Sequence, residues 1–127
     1  MKHTLLAFFV LILLTGCGLK TTTIEEQYNG NLDKVSKIEI LDGNTGEIVS
    51  TKDKKQIQAF ITEIKGVEFI PDEDQSKRDG FNYSVTFYQD DDKKFQFSLT
   101  QLEDNYYHTD PDIKPTIEQF YESIKSK

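Results

Sequence analysis

The sequence predicts one α+β domain, in which an antiparallel sheet of about five or six strands carries two amphipathic helices on one face, in the order β-β-α-β-β-β-(β)-α. Segments with apolar residues at alternate positions recur along the chain and indicate strands. Two other segments repeat apolar residues at spacings of three and four, as one face of a helix does. Consecutive strand patterns separated by short turns favour hairpins, with the helices packed together on one side of the sheet.

The first predicted unit is a hairpin followed by a helix. Residues 35–41 alternate, residues 42–46 are dense in turn-forming residues, and residues 47–51 form the returning strand. Asp53, with Gln56 three residues later, resembles a capping box at a helix start. The apolar face of this helix is Ile57, Phe60, Ile61 and Ile64.

Residues 81–89 and 93–102 show the clearest strand patterns. Directly opposed residues in an antiparallel pair point to the same side of the sheet, so apolar residues should face apolar residues. A three-residue loop at 90–92 places Phe87 opposite Phe95 and is therefore preferred to a two-residue loop. The side chains predicted to share the apolar face are Phe81, Tyr83, Val85 and Phe87 on one strand and Phe95, Phe97 and Leu99 on the other.

The remaining elements are shorter. Residues 67–70 predict a third strand that ends at Pro71, and residues 105–108 predict a short last strand. A C-terminal helix is expected over residues 113–125, with prolines tolerated before it or in its first turn. Its apolar stripe is Ile113, Ile117, Phe120 and Ile124.

The N-terminal segment has the pattern of an export signal. A short positive start, Met1 to His3, precedes an uninterrupted apolar run of ten residues, Leu5 to Leu14. A bilayer core about 30 Å thick needs roughly 20 helical residues to span it, so this run is too short for a stable anchor and fits a cleaved signal peptide. The run leads into Leu14-Thr15-Gly16-Cys17, which resembles the lipobox of bacterial lipoprotein precursors.

The lipobox resemblance implies a location and an anchor. Residues 1–16 are then a signal peptide that is cleaved after Gly16, and Cys17 carries diacylglycerol on its sulfur with acyl chains such as palmitate. The mature chain would be held by this lipid at the outer face of the cell membrane. Apart from the lipobox, the layout resembles small uncharacterised surface lipoproteins of Gram-positive bacteria with one α+β domain, a likeness that implies no catalytic residues.

Residues 17–34 are predicted to be the lipidated cysteine and a flexible tether, and residues 35–127 the single folded domain. The tether segment has no sustained apolar period and is rich in Thr, Asn, Gly and charged residues. Seventeen flexible residues would reach about 23 Å on average. A short helical turn at residues 24–28 is compatible with the pattern.

Charge and residue usage exclude several functions. The chain has 22 acidic and 15 basic residues, and the loss of Lys2 with the leader changes the formal net charge from −7 to −8. Such a surface repels phosphate backbones, so we expect no nucleic-acid partner. Cys17 is the sole cysteine, and His108 is the one histidine after the leader, so a zinc centre or a Cys-His pair lacks ligands. We therefore expect no cofactor, no metal centre and no enzymatic activity.

The acidic loop at residues 71–80 is an alternative site. Asp72, Asp74 and Ser76 lie at alternate positions, as some calcium ligands do. Lys77 and Tyr83, however, occupy the places where an EF-hand loop requires Gly and Glu. A solvated loop is the main interpretation, and a small-ligand or cation site is the alternative.

The leading hypothesis is a non-enzymatic binding module for an unidentified envelope protein, acting as a regulator, inhibitor or immunity-type factor. An uncharged polar face is predicted on the outward side of the main hairpin, although any sheet with one solvated face shows polar residues there. The candidate contact residues are Asn82, Ser84, Thr86, Tyr88, Gln96, Ser98 and Thr100.

Overall fold

The computed structural model describes residues 18–77 and 82–126, and in these ranges the chain forms an α+β domain. The strands are β1 (Lys37–Asp42), β2 (Ile48–Thr51), β3 (Glu68–Pro71), β4 (Tyr83–Gln89), β5 (Asp92–Ser98), β6 (Gln101–Leu102) and β7 (Asn105–Asp110). The helices are α1 (Ile24–Gln27), α2 (Lys54–Ile64) and α3 (Lys114–Lys125), with a 3₁₀ turn at Leu32–Lys34.

The strands form one antiparallel sheet in the order β2-β1-β4-β5-β6-β7-β3. The predicted fold class is confirmed. The described part of the chain has seven strands, rather than five or six, because residues 93–102 do not form one continuous strand.

The chain reverses direction between Ser98 and Gln101. Leu102 of β6 consequently lies opposite Phe97 of β5. The Ser98 hydroxyl accepts a 3.4 Å hydrogen bond from the backbone N–H of Thr100, and local side-chain bonds of this kind favour a turn over continuation of a strand. The apolar–polar alternation continues as far as Thr100, inside this turn, which is why the sequence predicted a single strand.

The β4–β5 hairpin has the predicted register but reaches it by another route. Phe87 lies opposite Phe95, as expected. The predicted three-residue loop is wrong: the turn has two residues, 90–91, and Asp90 adopts a φ of 57°. Lys94 is left unpaired in β5, and this β-bulge returns the apolar side chains to one face.

The helices α2 and α3 cover one face of the sheet, which we call the inward face. The Asp53 carboxylate accepts a 3.2 Å bond from the backbone N–H of Gln56, so Asp53 caps α2 as predicted. The Asp53 N–H, however, donates to the Thr51 hydroxyl and not to the Gln56 side chain of a full capping box. The rings of Phe60 on α2 and Phe120 on α3 stack with their centroids 4.0 Å apart. The predicted stripes are buried except at Ile124, which is partly buried at the edge of the core.

Residues 22–34 pack onto this core, and the predicted tether boundary at residue 34 is therefore wrong. Thr22 and Phe69 of β3 exchange backbone hydrogen bonds of 3.0 and 2.7 Å. Helix α1 buries Ile24 completely, and the Tyr28 ring contacts Phe95 edge-on at 6.0 Å between centroids. Ile24, Tyr28 and Leu32 recur every four residues, but three such positions among polar residues are too few to predict a packed element. Only the tertiary contacts show that this segment belongs to the domain.

The predicted signal peptide, the lipobox and Cys17 lie outside the described residues, as do residues 78–80 of the acidic loop and Phe81 of the predicted strand 81–89. In the part of the chain that the structure describes, no helix has the length and apolar character needed to cross a membrane.

Candidate functional site

The predicted polar residues gather on the face of the sheet that points away from α2 and α3, which we call the outward face. Thr86 of β4 lies between Glu39 of β1 and Gln96 of β5. Ser84 is similarly opposed to Ser98. The predicted set therefore lies on neighbouring strands, with Asn82 and Thr100 exposed just beyond the strand ends.

Three of these side chains are more buried than a solvated face implies. Ser84, Thr86 and Ser98 are only 8%, 5% and 7% exposed. Longer neighbours on the same face cover them; for example, the Gln96 side-chain amide donates a 3.0 Å hydrogen bond to the Ser84 hydroxyl. The small hydroxyls thus lie recessed in the outward face, while Gln96 itself is exposed.

The outward face is also less neutral than predicted. Strand β1 brings two charged residues beside β4: the Lys37 ammonium lies 4.0 Å from the centroid of the Tyr88 ring, and the Glu39 carboxylate lies 3.5 Å from the Tyr88 hydroxyl. A cation over an aromatic face contributes about 0.5–1 kcal/mol at exposed sites. The uncharged polar residues of β4 and β5, which we call the neutral strip, are therefore bordered by charged residues of β1. The sequence of the hairpin alone does not predict this neighbour.

A cavity opens on the outward face beside this strip. Its volume is about 380 Å³, within the range of roughly 300–1,000 Å³ that is common for small-molecule sites. Serines of β4 and β5 and the two-residue turn between β6 and β7 contribute to its lining. We call this cavity the outer pocket; its lining residues are Ser84, Gln96, Phe97, Ser98, Gln101, Glu103 and Asp104.

Sequence analysis identified three of the lining residues, Ser84, Gln96 and Ser98, and missed the others. Glu103 and Asp104 reach the pocket because the chain reverses after β5 and returns as β6 and β7. The acidic pair followed by Asn105 is a turn signal, and it could have indicated this second hairpin.

The acidic loop has a structural role in its described part, residues 71–77. The Gln75 side chain bonds both backbone groups of Tyr106 in β7, donating to the carbonyl oxygen at 2.8 Å and accepting from the N–H at 2.9 Å. It thereby extends the β3–β7 ladder beyond the end of β3. In the described ranges no group of three or more His, Cys, Asp or Glu residues is placed to hold a metal ion.

His108 lies exposed on β7 and makes a side-chain hydrogen bond that sequence analysis did not identify. Its Nδ1 atom is 2.8 Å from the Asp72 carboxylate. Asp74 accepts a 2.9 Å bond from the backbone N–H of Ser76 within its own loop. These carboxylates thus act as anchors of the loop, and His108 holds it against β7.

No protein-family model, curated protein or solved structure matches this chain. Function therefore has to be argued from the residues themselves.

Proposed function

We propose that the chain is a lipoprotein anchored through Cys17 at the outer face of the cell membrane, where it acts as a non-enzymatic binding module for an envelope protein. The observation that supports the proposal is the outward face of the sheet, which the helices leave uncovered and which contains the outer pocket beside a strip of recessed hydroxyls. A regulator, inhibitor or immunity-type factor requires such a recognition surface and no reacting groups.

The anchor makes this role specific to partners at the membrane. Two or three acyl chains give effectively permanent attachment, since each buried CH₂ contributes about 0.8 kcal/mol. The first packed residue is Thr22, so residues 18–21 are the connection between Cys17 and the domain. Four residues span at most about 14 Å when fully extended, which is less than the reach of the tether predicted from the sequence.

The alternative of a cation site in the 71–80 loop has no support from the described residues. Asp72 is paired with His108, and Asp74 is bonded to Ser76. The outer pocket instead is the place where a small ligand would bind if the protein recognises one.

In-cell cross-linking of the native chain, followed by mass spectrometry of the captured proteins, tests the proposal. One envelope protein should recur with the native chain and fade with Cys17→Ala, which cannot be lipidated. Exposed Gln96 is the position for a face-disrupting variant, because lysine at recessed Thr86 or Ser98 would also disturb packing.

Gln96→Lys should abolish the capture. Gln119→Lys is the matched control, since Gln119 is exposed on α3, on the other side of the domain. Equal capture by both variants would remove the outward face from the proposal. The absence of any recurring envelope protein would contradict the binding-module function itself.

A further inference from the structure

We infer that the outer pocket recognises a basic side chain, lysine or arginine, on an extended segment of a polypeptide partner. Glu103 and Asp104 supply the charge contacts, and Ser84 and Ser98 donate to backbone carbonyls of that segment. This inference rests on the proposed function and gives the partner's contact its chemistry.

The edge of the outer pocket is acidic. Glu103 and Asp104 form the β6–β7 turn at its edge. None of the described residues that line the pocket is basic, and neither carboxylate forms an ion pair within the described ranges. With a formal net charge of −7 on the whole chain, a cationic group is attracted to this turn and an anionic one is repelled.

Two serines give the pocket hydrogen-bonding groups that are independent of its charge. Both side chains are more than nine-tenths buried and line the pocket. The Ser84 hydroxyl accepts a bond from the Gln96 amide at 3.0 Å, and the Ser98 hydroxyl accepts a longer one from a backbone N–H. A hydroxyl group can donate as well as accept, and among residues 18–77 and 82–126 the bonds described for these two hydroxyls are accepted ones. The pocket therefore offers hydrogen-bond donors to a ligand.

The carboxylates and the serine hydroxyls together favour a ligand that has both a cationic group and hydrogen-bond acceptors. An extended peptide with a lysine or arginine meets both requirements, because its carbonyl oxygens accept from the serines while its side chain pairs with the carboxylates. The side-chain amides of Gln96 and Gln101 can each donate and accept, as a peptide backbone also requires. An acidic segment would place like charges together, which disfavours binding.

The test uses the full chain in uncharged detergent micelles, followed by two-dimensional ¹⁵N NMR. The probe is acetyl-Gly-Lys-Gly-amide, and its control is the same peptide with the lysine side chain acetylated. We expect saturable shifts of the backbone amides of Ser98, Gln101 and the 103–104 turn. Binding of the acetylated peptide should be at least tenfold weaker.

Two double variants locate the charge contact. Glu103→Gln with Asp104→Asn should weaken binding of the lysine peptide at least tenfold. Asp90→Asn with Asp91→Asn removes the same charge from the β4–β5 turn, which is also exposed, and should change binding less than twofold. Three results would overturn the inference. The first is equal weakening of binding by both double variants, and the second is amide shifts spread over all acidic residues. The third is binding of glucosamine, a cationic amino sugar used as a second probe, without binding of the peptide.

Failure of the inference can be separated from failure of the proposed function. Gln96→Lys could abolish capture in cells while the lysine peptide fails to bind the purified chain. This pair of results would support the binding module and overturn the contact with a basic side chain. Peptide binding at the pocket, combined with unchanged capture by Gln96→Lys, would support the pocket chemistry and contradict the outward face as the partner surface.

Discussion

The central residues on both faces of the β4–β5 hairpin are buried, but their surroundings differ. On the inward face Phe87 and Phe97 are covered by residues from other layers of the domain, and their rings meet at 5.8 Å between centroids. On the outward face Thr86 and Ser98 are also buried, although helices α2 and α3 do not cover this face. Low exposure therefore does not by itself mean that a face is occupied, and the outward face keeps room for a ligand.

The contrast between the two faces should have its largest effect on the free energy of unfolding, when adjacent residues of β4 are substituted. Phe87→Ala removes a fully buried ring and should lower the free energy of unfolding by about 3–5 kcal/mol. Thr86→Ala, one residue away but on the outward face, should lower it by about 1 kcal/mol or less, because little apolar contact is lost. Urea denaturation of both variants measures this contrast. Equal losses would mean that the outward face is a second core.

Variants in the N-terminal segment test whether residues before 35 contribute to the core on the inward face. Ile24→Ala should cost about 2–5 kcal/mol, since the side chain is fully buried among core residues. Leu19→Ala is the matched control and should stay within about 0.5 kcal/mol of the native chain, because Leu19 is 44% exposed and precedes the first packed residue. If neither variant changed the free energy of unfolding, the prediction of a flexible tether up to residue 34 would be supported instead.

The smallest expected effect is a pH dependence at the edge of the inward face. Burial, and then the 3.1 Å hydrogen bond from the Tyr121 hydroxyl to Glu47, raise the pKa of Tyr121 to about 12. The unfolded chain releases this proton near pH 10 and the folded chain retains it, so stability should decrease as the pH rises from about 10 to about 12.

Tyr121→Phe should make that decrease shallower, as measured by urea midpoints between pH 9 and pH 12. Absorbance at 295 nm should show one tyrosine fewer titrating at the alkaline end of the range. An unchanged pH slope in the variant would show that the buried phenol does not hold its proton as described.

The elements were predictable from the sequence because their signals are local. The helix stripe from Ile57 to Ile64 and the alternation around Phe87 each follow from a fixed spacing of apolar residues. The pairing of Phe87 with Phe95 also followed, since parity restricts the register. The β-bulge at Lys94 could not be predicted, because it restores parity without changing the residue pattern.

The site was less predictable because it depends on sheet order. Ser84 and Ser98 were identified from alternation on one hairpin. Glu39 and Glu103 join them only because β1 lies beside β4 and the chain reverses after β5. Both glutamates are far along the chain from the residues that they join, so the local pattern does not predict their proximity. The recessed position of the serines depends on the length of the side chains around them.

If the chain is anchored at Cys17, as proposed, the pairing of Thr22 with Phe69 has a mechanical consequence. Tension from the membrane would enter the domain at this point, where two backbone hydrogen bonds are the first to resist it. Their rupture would load α1 next, and each released residue would lengthen the connection by about 3.4 Å. The domain would thus yield stepwise from its anchored end, gaining reach before the sheet itself is strained.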